Sequence, residues 1–120
     1  MQAMAEGYHL LQAGPMKDVP LDIIADVWQK GSIINSTLNQ LIAEIMHENE
    51  TLDGVDGYVA DSGEGRWTVE TAQAAGVAMP ALAESMKVRL ASQKGEVNYS
   101  TKLLAALRNK FGGHAINKSS

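Results

Sequence analysis

Apolar residues recur at three- and four-residue spacing along most of this chain, and this periodicity constrains the fold more than any other feature. The most regular segment carries Ile34, Leu38, Leu41, Ile42, Ile45 and Met46. This spacing puts all six side chains on one face of an α-helix. Five other segments show it, and none alternates in the manner of a strand. The sequence therefore predicts an all-α domain of six helices, with residues 1–120 forming a single domain.

Breakers and capping residues predict where these helices begin and end. Gly14-Pro15 ends the first helix, and Pro80 suits the first turn of the fifth. Thr68 is expected to cap the fourth helix and Ser100 the sixth, because hydroxyl oxygens accept bonds from free N–H groups. Periodicity lapses over residues 48–66, which predicts a long loop. The first helix is in phase from residue 1 without a cap, so we expect a preceding segment in the parent protein.

Composition excludes several classes of site. Cysteine is absent and the three histidines are scattered, so we expect no metal site and no disulfide. The acidic run from Asn49 lacks the glutamate that closes an EF-hand loop, since Ala60 stands there. No apolar run is long enough for a membrane span, and residues 1–11 do not read as a signal peptide. These features predict a cytoplasmic protein. The two tryptophans, Trp28 and Trp67, are expected to be largely buried.

The charge is divided unevenly between the two parts of the chain. Residues 1–66 carry eleven acids and three bases, whereas residues 67–120 carry three acids and seven bases. Seven cations without interleaved aromatics are a poor footprint for nucleic acid, so we expect a local anion site instead.

One candidate for this anion site is the end of the sixth helix. Arg108, Lys110 and His114 surround Gly112-Gly113, whose backbone turns easily. Arginine and histidine donors suit phosphate or carboxylate. The alternative is an ordinary helix end whose cations complement the helix dipole.

Two further places offer donors to an anion. Residues 61–68 enter a helix N-terminus, where backbone N–H groups point outward. The alternative there is a simple capped turn with Trp67 in the core. Arg89 lies beside the apolar stripe of the fifth helix, and an arginine in that position usually extends to solvent.

Together these segments resemble the C-terminal domain of decarboxylating 6-phosphogluconate dehydrogenase, most closely its shorter bacterial form. The segments that carry the resemblance are Asp61-Ser62-Gly63-Glu64-Gly65-Arg66-Trp67-Thr68, Gly76-Val77 with Arg89, and Arg108-Asn109-Lys110-Phe111-Gly112-Gly113-His114. Residues 1–7 resemble the family's long helix just after its catalytic stretch. The similarity covers essentially the whole chain, in consistent order.

The resemblance implies a helical substrate-binding and dimerisation domain, with an extended tail at residues 112–120. In this family a separate Rossmann domain binds NAD or NADP, and the enzyme converts 6-phosphogluconate to ribulose 5-phosphate in the pentose phosphate pathway. The family's catalytic lysine and glutamate lie upstream of the position matching Met1. We therefore expect no catalytic residue and no bound cofactor within these 120 residues, and no activity from them alone.

The resemblance also implies particular substrate contacts. Arg89 is expected to contact the substrate phosphate within its own subunit, while Arg108 and His114 are expected to reach the partner's site in a homodimer. Ser62 stands where the longer family form has a phosphate-binding lysine, and Glu64 stands where that form has a threonine. A glutamate near phosphate is repulsive unless a cation such as Arg66 offsets it.

Two other functions are compatible with the residues. The chain could be a non-catalytic helical interaction module, or a protein that binds a phosphorylated metabolite without further chemistry. Convergence of Arg89, Arg108 and His114 is required only for phosphate binding, so anion titration separates these functions.

Overall fold

The computed structural model describes residues 1–117, and the end of the expected tail, residues 118–120, lies outside this range. Six helices make up the described chain, which contains no β-strand. The helices are α1 (Gln2–Ala13), α2 (Leu21–Gly31), α3 (Thr37–Asn49), α4 (Glu64–Ala74), α5 (Pro80–Ser92) and α6 (Tyr99–Gly112). The predicted all-α class is therefore confirmed.

The predicted breakers hold, but two predicted caps are wrong. Pro80 begins α5, as expected. Helix α4 begins at Glu64, four residues before Thr68, because Gly63 takes a left-handed conformation and serves as the N-cap. Helix α6 is capped by Asn98 instead of Ser100. Asn98 and Thr101 form a reciprocal capping box, which satisfies two backbone N–H groups at once.

Helix α6 is the centre of the core. It is buried along nearly its whole length, from Tyr99 to Arg108, and it packs against α1 and α3 and, less extensively, against α5. Helices α2 and α3 form a closely packed pair on the other side of this core. Leu103, Leu104 and Leu107 are essentially inaccessible to solvent. Burial of each such leucine contributes about 1.5–3 kcal/mol of hydrophobic free energy.

A buried polar network joins α1, α2 and α3. The Tyr8 hydroxyl donates to Asn39 Oδ1 over 2.8 Å, and both side chains are fully buried. Asn39 Nδ2 donates in turn to the Ala25 carbonyl (3.1 Å) and to Gln29 Oε1 (3.0 Å). Tyr8 also packs edge-to-face against Trp28, with ring centroids 5.3 Å apart. The network fixes the register of the three helices, because a buried amide must find all its partners.

The apolar face of α1 is covered within the chain. Ala5 and Tyr8 are buried, and Met1, Met4 and Leu11 pack against the core.

Exposed apolar side chains lie on several elements, among them α2, with Ile23 and Val27, and the α4–α5 pair, which is attached to the rest of the fold mainly through α6. Trp67 is 57% exposed, so its predicted burial is wrong, whereas Trp28 is partly buried against the core. No helix in the described residues is long and apolar enough to cross a membrane.

Candidate functional site

The candidate site is built around residues 57–63, which we call the crossing segment because they run between α5 and α6. Val59 is fully buried in its middle. Its N–H donates to Ser92 Oγ (3.1 Å), and its carbonyl accepts from Gln93 Nε2 (2.9 Å). Ser92 Oγ also donates to the Arg89 carbonyl (2.6 Å). These bonds fix the crossing segment to the end of α5, close to the turn that carries Arg89.

Arg108 fixes the crossing segment from the side of α6. Its guanidinium donates to the Ala60 carbonyl, and the residue is only 6% exposed. Burial lowers the pKa of Arg108, and the positive charge of nearby Arg89 lowers it further. Asp61 and Glu64 act in the opposite direction. The two arginines are therefore close enough for their charges to repel, and the two carboxylates act against that repulsion.

Arg89 projects from α5 into the same region with most of its donors uncommitted. Its side chain is 17% exposed, and its nearest acidic oxygen is Asp61 Oδ1, 4.0 Å from Nη1. Its Nε is buried and has no hydrogen-bond partner among the residues that the structure describes. A buried donor left unpaired costs about 1–3 kcal/mol, so a group that accepts from it would be favoured.

Helix α4 approaches Arg89 closely at its first turn. A Cβ added to Gly65 would lie 3.9 Å from Arg89 Nη1 and 2.8 Å from Met86 Sδ. The absence of a side chain thus brings the α4 N-terminus near this guanidinium. The first N–H groups of a helix have no partner within it, and they favour negative charge.

Asp61 lies at the centre of the cationic groups. Its Oδ1 accepts from the Gly63 N–H (2.8 Å), which closes the turn into α4. Its Oδ2 lies 3.7 Å from Arg66 Nη1, and its side chain is 11% exposed. Both of its cation contacts are longer than a hydrogen bond. Its role was not predicted from the sequence, although the residue stands in one of the segments quoted for the resemblance.

Ser62 and Glu64 lie on the outer side of this cluster. Ser62 is exposed between Asp61 and Gly63, and Glu64 is the exposed first residue of α4. Glu64 is near enough to Arg108 for its negative charge to raise the pKa of that guanidinium. The structure therefore groups Arg89, Arg108 and Glu64 around one turn, with Ser62 on that turn.

His114 is not part of this group. After the left-handed turn at Gly113, its ring folds back over Gly112, where an added Cβ would lie 3.1 Å from the ring. Its carbonyl accepts from Asn109 Nδ2 (2.9 Å). Within residues 1–117 no hydrogen bond joins the His114 side chain to either arginine. The expected reach of His114 into a partner's site stays a prediction.

Within the single chain Arg108 and Arg89 are already brought to the same turn, and the expected reach of Arg108 into a partner's site stays a prediction. Arg108 is held by Ala60 of its own chain and lies near Arg89 of its own chain. The sequence could not show this, because the convergence depends on Ser92 and Gln93 directing the crossing segment. Neither residue belongs to a recognisable motif.

Residues 1–117 contain neither a dinucleotide-binding fingerprint nor a grouped set of metal ligands. A dinucleotide fingerprint requires a strand before its glycines, whereas Gly63-Glu64-Gly65 follows a loop and residues 1–117 contain no β-strand. Among the same residues no three histidine or acidic side chains are grouped so as to hold a metal ion.

Comparison with known proteins gives a consistent result. The sequence profile of the family described as "6-phosphogluconate dehydrogenase, C-terminal domain" matches residues 1–103. This match includes Ser62, Glu64 and Arg89 and ends before Arg108 and His114.

Individual relatives extend the similarity over nearly the whole chain. A Bacillus subtilis protein named "Putative 6-phosphogluconate dehydrogenase YqeC" is 39% identical over 98% of this chain and 39% of its own length. A Haloferax volcanii protein named "6-phosphogluconate dehydrogenase, NAD(+)-dependent, decarboxylating" is 35% identical over 97% of this chain and 38% of its own length. A decarboxylating 6-phosphogluconate dehydrogenase of Lactococcus lactis is 28% identical over 94% of this chain and 25% of its own length. The chain thus spans about two fifths or less of the length of these relatives.

Proposed function

This chain belongs to the 6-phosphogluconate dehydrogenase family, whose C-terminal domain it matches, and from that membership we propose that it binds the phosphate group of 6-phosphogluconate. We further propose that it pairs with a second copy of itself. In this proposal it works with a cofactor-binding domain in the oxidative decarboxylation of 6-phosphogluconate to ribulose 5-phosphate. A nicotinamide cofactor bound by that other domain would supply the hydride acceptor, and the residues of this chain would hold the far end of the substrate.

The observation that carries the phosphate proposal is the convergence of Arg89 and Arg108. Two guanidinium groups held close together repel each other, and one of them has a buried Nε without a partner. A phosphate dianion would relieve the repulsion and accept from the open donors of Arg89. Bonds between guanidinium and phosphate are among the strongest that proteins form.

Arg108 has two roles in this proposal. Its bond to Ala60 holds the crossing segment in place, and its charge adds to the attraction for an anion. Arg89 supplies the donors that touch the phosphate, together with the first N–H groups of α4. His114 would add a donor only from a partner chain.

Titration calorimetry with 6-phosphogluconate, inorganic phosphate and gluconate tests the proposal. We expect the two phosphates to bind and gluconate, which lacks the phosphate, not to bind. Arg89→Gln should weaken phosphate binding about 10- to 100-fold, as expected for loss of a charge-assisted hydrogen bond.

Lys87→Gln is the matched control for that variant. It removes the same charge two residues away on α5, where Lys87 is 71% exposed and pairs with Glu84. Equal losses in the two variants would mean that only overall charge attracts phosphate. Tight binding of gluconate would contradict a phosphate site.

Pairing is supported by the apolar groove on α4 and the segment after it. Trp67, Val77 and Met79 line this groove, and all three are exposed in the single chain. A twofold contact between two copies is the commonest way to cover such a surface. Light scattering after size exclusion should give twice the monomer mass of 12.9 kDa.

Trp67→Glu tests whether this groove forms the contact. We expect this variant to be monomeric, because it places a charge in the covered surface. Leu10→Glu is the control, since Leu10 is 69% exposed on α1, outside the groove. A wild-type chain that is monomeric at tens of micromolar, or equal dissociation in both variants, would refute pairing through the groove.

A further inference from the structure

Asp61 is an anion placed inside a site for anions, and this placement needs an explanation. Its carboxylate lies 3.7 Å from Arg66 Nη1 and 4.0 Å from Arg89 Nη1. It is also close enough to Arg108 to raise the pKa of that guanidinium. A phosphate approaching Arg89 must therefore come near a negative group as well as positive ones.

The Asp61 carboxylate attracts Arg66 and Arg89 without accepting a hydrogen bond from either of them. Neither cation contact is short enough to be a hydrogen bond. Within residues 1–117 the one hydrogen bond that Asp61 accepts comes from the Gly63 N–H, at 2.8 Å. The guanidinium of Arg89 thus experiences a nearby negative charge while its N–H groups stay open.

Asp61 cannot easily move away when a ligand arrives. The residue before it is clamped by Arg108 through the Ala60 carbonyl, and the turn after it is closed by the Gly63 bond. Its side chain is only 11% exposed, so rotation into solvent would break that turn. The negative charge is therefore a fixed part of the site.

We propose that Asp61 is an internal counter-ion of the Arg66–Arg89–Arg108 cluster, which stabilises the cluster when no ligand is bound and weakens its affinity for phosphate. This inference rests on the proposed phosphate site. A fixed opposing charge lets phosphate leave readily, which suits a site that must release a phosphorylated product.

The substitution Asp61→Asn removes the negative charge of this side chain and keeps its size and shape. The amide oxygen still accepts from Gly63, while the negative charge is lost. We expect inorganic phosphate to bind this variant about 3- to 10-fold more tightly at low ionic strength, because a like charge several ångströms away has been removed. The gain should shrink as sodium chloride is added, since salt screens the interaction.

Asp56→Asn is the matched control. Asp56 accepts from the Tyr58 N–H (2.9 Å) in the same two-residue pattern, and within residues 1–117 it forms no ion pair. This substitution changes the net charge equally and should leave phosphate affinity unchanged. Where the wild type binds phosphate, the inference is overturned if Asp61→Asn binds it no better, or if Asp56→Asn gives the same gain.

A double-mutant cycle without phosphate keeps this inference distinct from the proposed function. Asp61→Asn and Arg89→Gln, alone and together, are compared by urea unfolding of the ligand-free chain. If the two residues form a counter-ion pair, the double variant is destabilised less than the sum of the single variants. If no variant binds phosphate, the proposed function fails, and the cycle alone decides whether Asp61 acts as a counter-ion. Additive losses in the cycle would refute that role.

Discussion

Gly57 and Gly54 form a natural pair for testing how the crossing segment is held. Both glycines have positive φ, +86° and +80° respectively. They differ in their surroundings. A Cβ on Gly57 would lie 2.9 Å from Thr101 Oγ1 and 2.9 Å from Val97 Cβ, whereas a Cβ on Gly54 would meet nothing within 4 Å.

The atoms around Gly57 have little freedom to move. The Thr101 hydroxyl is bound in the capping box of α6 and accepts from the Asn98 N–H (2.9 Å). Val97 meets the added atom with its own Cβ, which follows the backbone. Relief of the clash therefore requires a shift of either the crossing segment or the start of α6.

The expected magnitudes follow from these differences. Gly54→Ala should cost about 1–2 kcal/mol, which is the cost of a left-handed alanine alone. Gly57→Ala carries the same cost and a further penalty of about 1–3 kcal/mol for overpacking. For a chain of this size the extra penalty corresponds to a midpoint about 4–12 °C lower than that of Gly54→Ala.

Urea and thermal unfolding followed by circular dichroism measure both variants. Denaturant slopes should match that of the wild type, so that midpoints report stability. If Gly57→Ala is no less stable than Gly54→Ala, the crossing segment does not press against α6, and the placement of Ala60 and Asp61 loses its support.

Three further outcomes are expected. Tyr8→Phe should destabilise the chain by about 1–3 kcal/mol in urea, because it leaves the buried Asn39 oxygen without a donor, and Tyr58→Phe on the surface is its control. Burial raises the pKa of Tyr8 and of Tyr99 above the ordinary value of 10.0. Above that pH the unfolded chain therefore loses phenolic protons that the folded chain keeps. Stability should be constant just below pH 10 and should fall above it, as unfolding titrations at several pH values would show. Finally, the purified 120-residue chain should reduce neither NAD nor NADP with 6-phosphogluconate, and absorbance of the reduced cofactor measures this.

The regular parts of the fold were predictable because they depend on local pattern. The apolar spacing of α3 is visible in the sequence, and Pro80 can only begin a helix or break one. The capping residues were harder to predict, because the side chains of Asn98 and Ser100 can both accept hydrogen bonds at the start of α6. Asn98 prevails since Thr101 stands three residues later and completes the reciprocal bonds. Trp67 was misjudged because its size suggests burial, whereas its exposure depends on how the α4–α5 pair is placed.

The residues of the candidate site could be predicted from the sequence, but their arrangement could not. Arg89 and Arg108 could be named from the resemblance, but their convergence depends on a loop whose course is set by Ser92 and Gln93. No periodicity encodes such long-range bonds. The role of Asp61 cannot be predicted for the same reason, since an acidic residue in a glycine-rich turn is typical of an ordinary turn.

The central position of α6 has a consequence for synthesis on the ribosome. It is the last helix of the described chain to be made, and yet α1, α3 and α5 all pack against it. The faces of α1 and α3 that contact α6 therefore stay uncovered until residues 99–108 have been made, and the incomplete chain is prone to aggregation. A nascent chain that stops before Arg108 would lack both the closed core and the clamp on Ala60. The arginine cluster is thus completed only when α6 is in place.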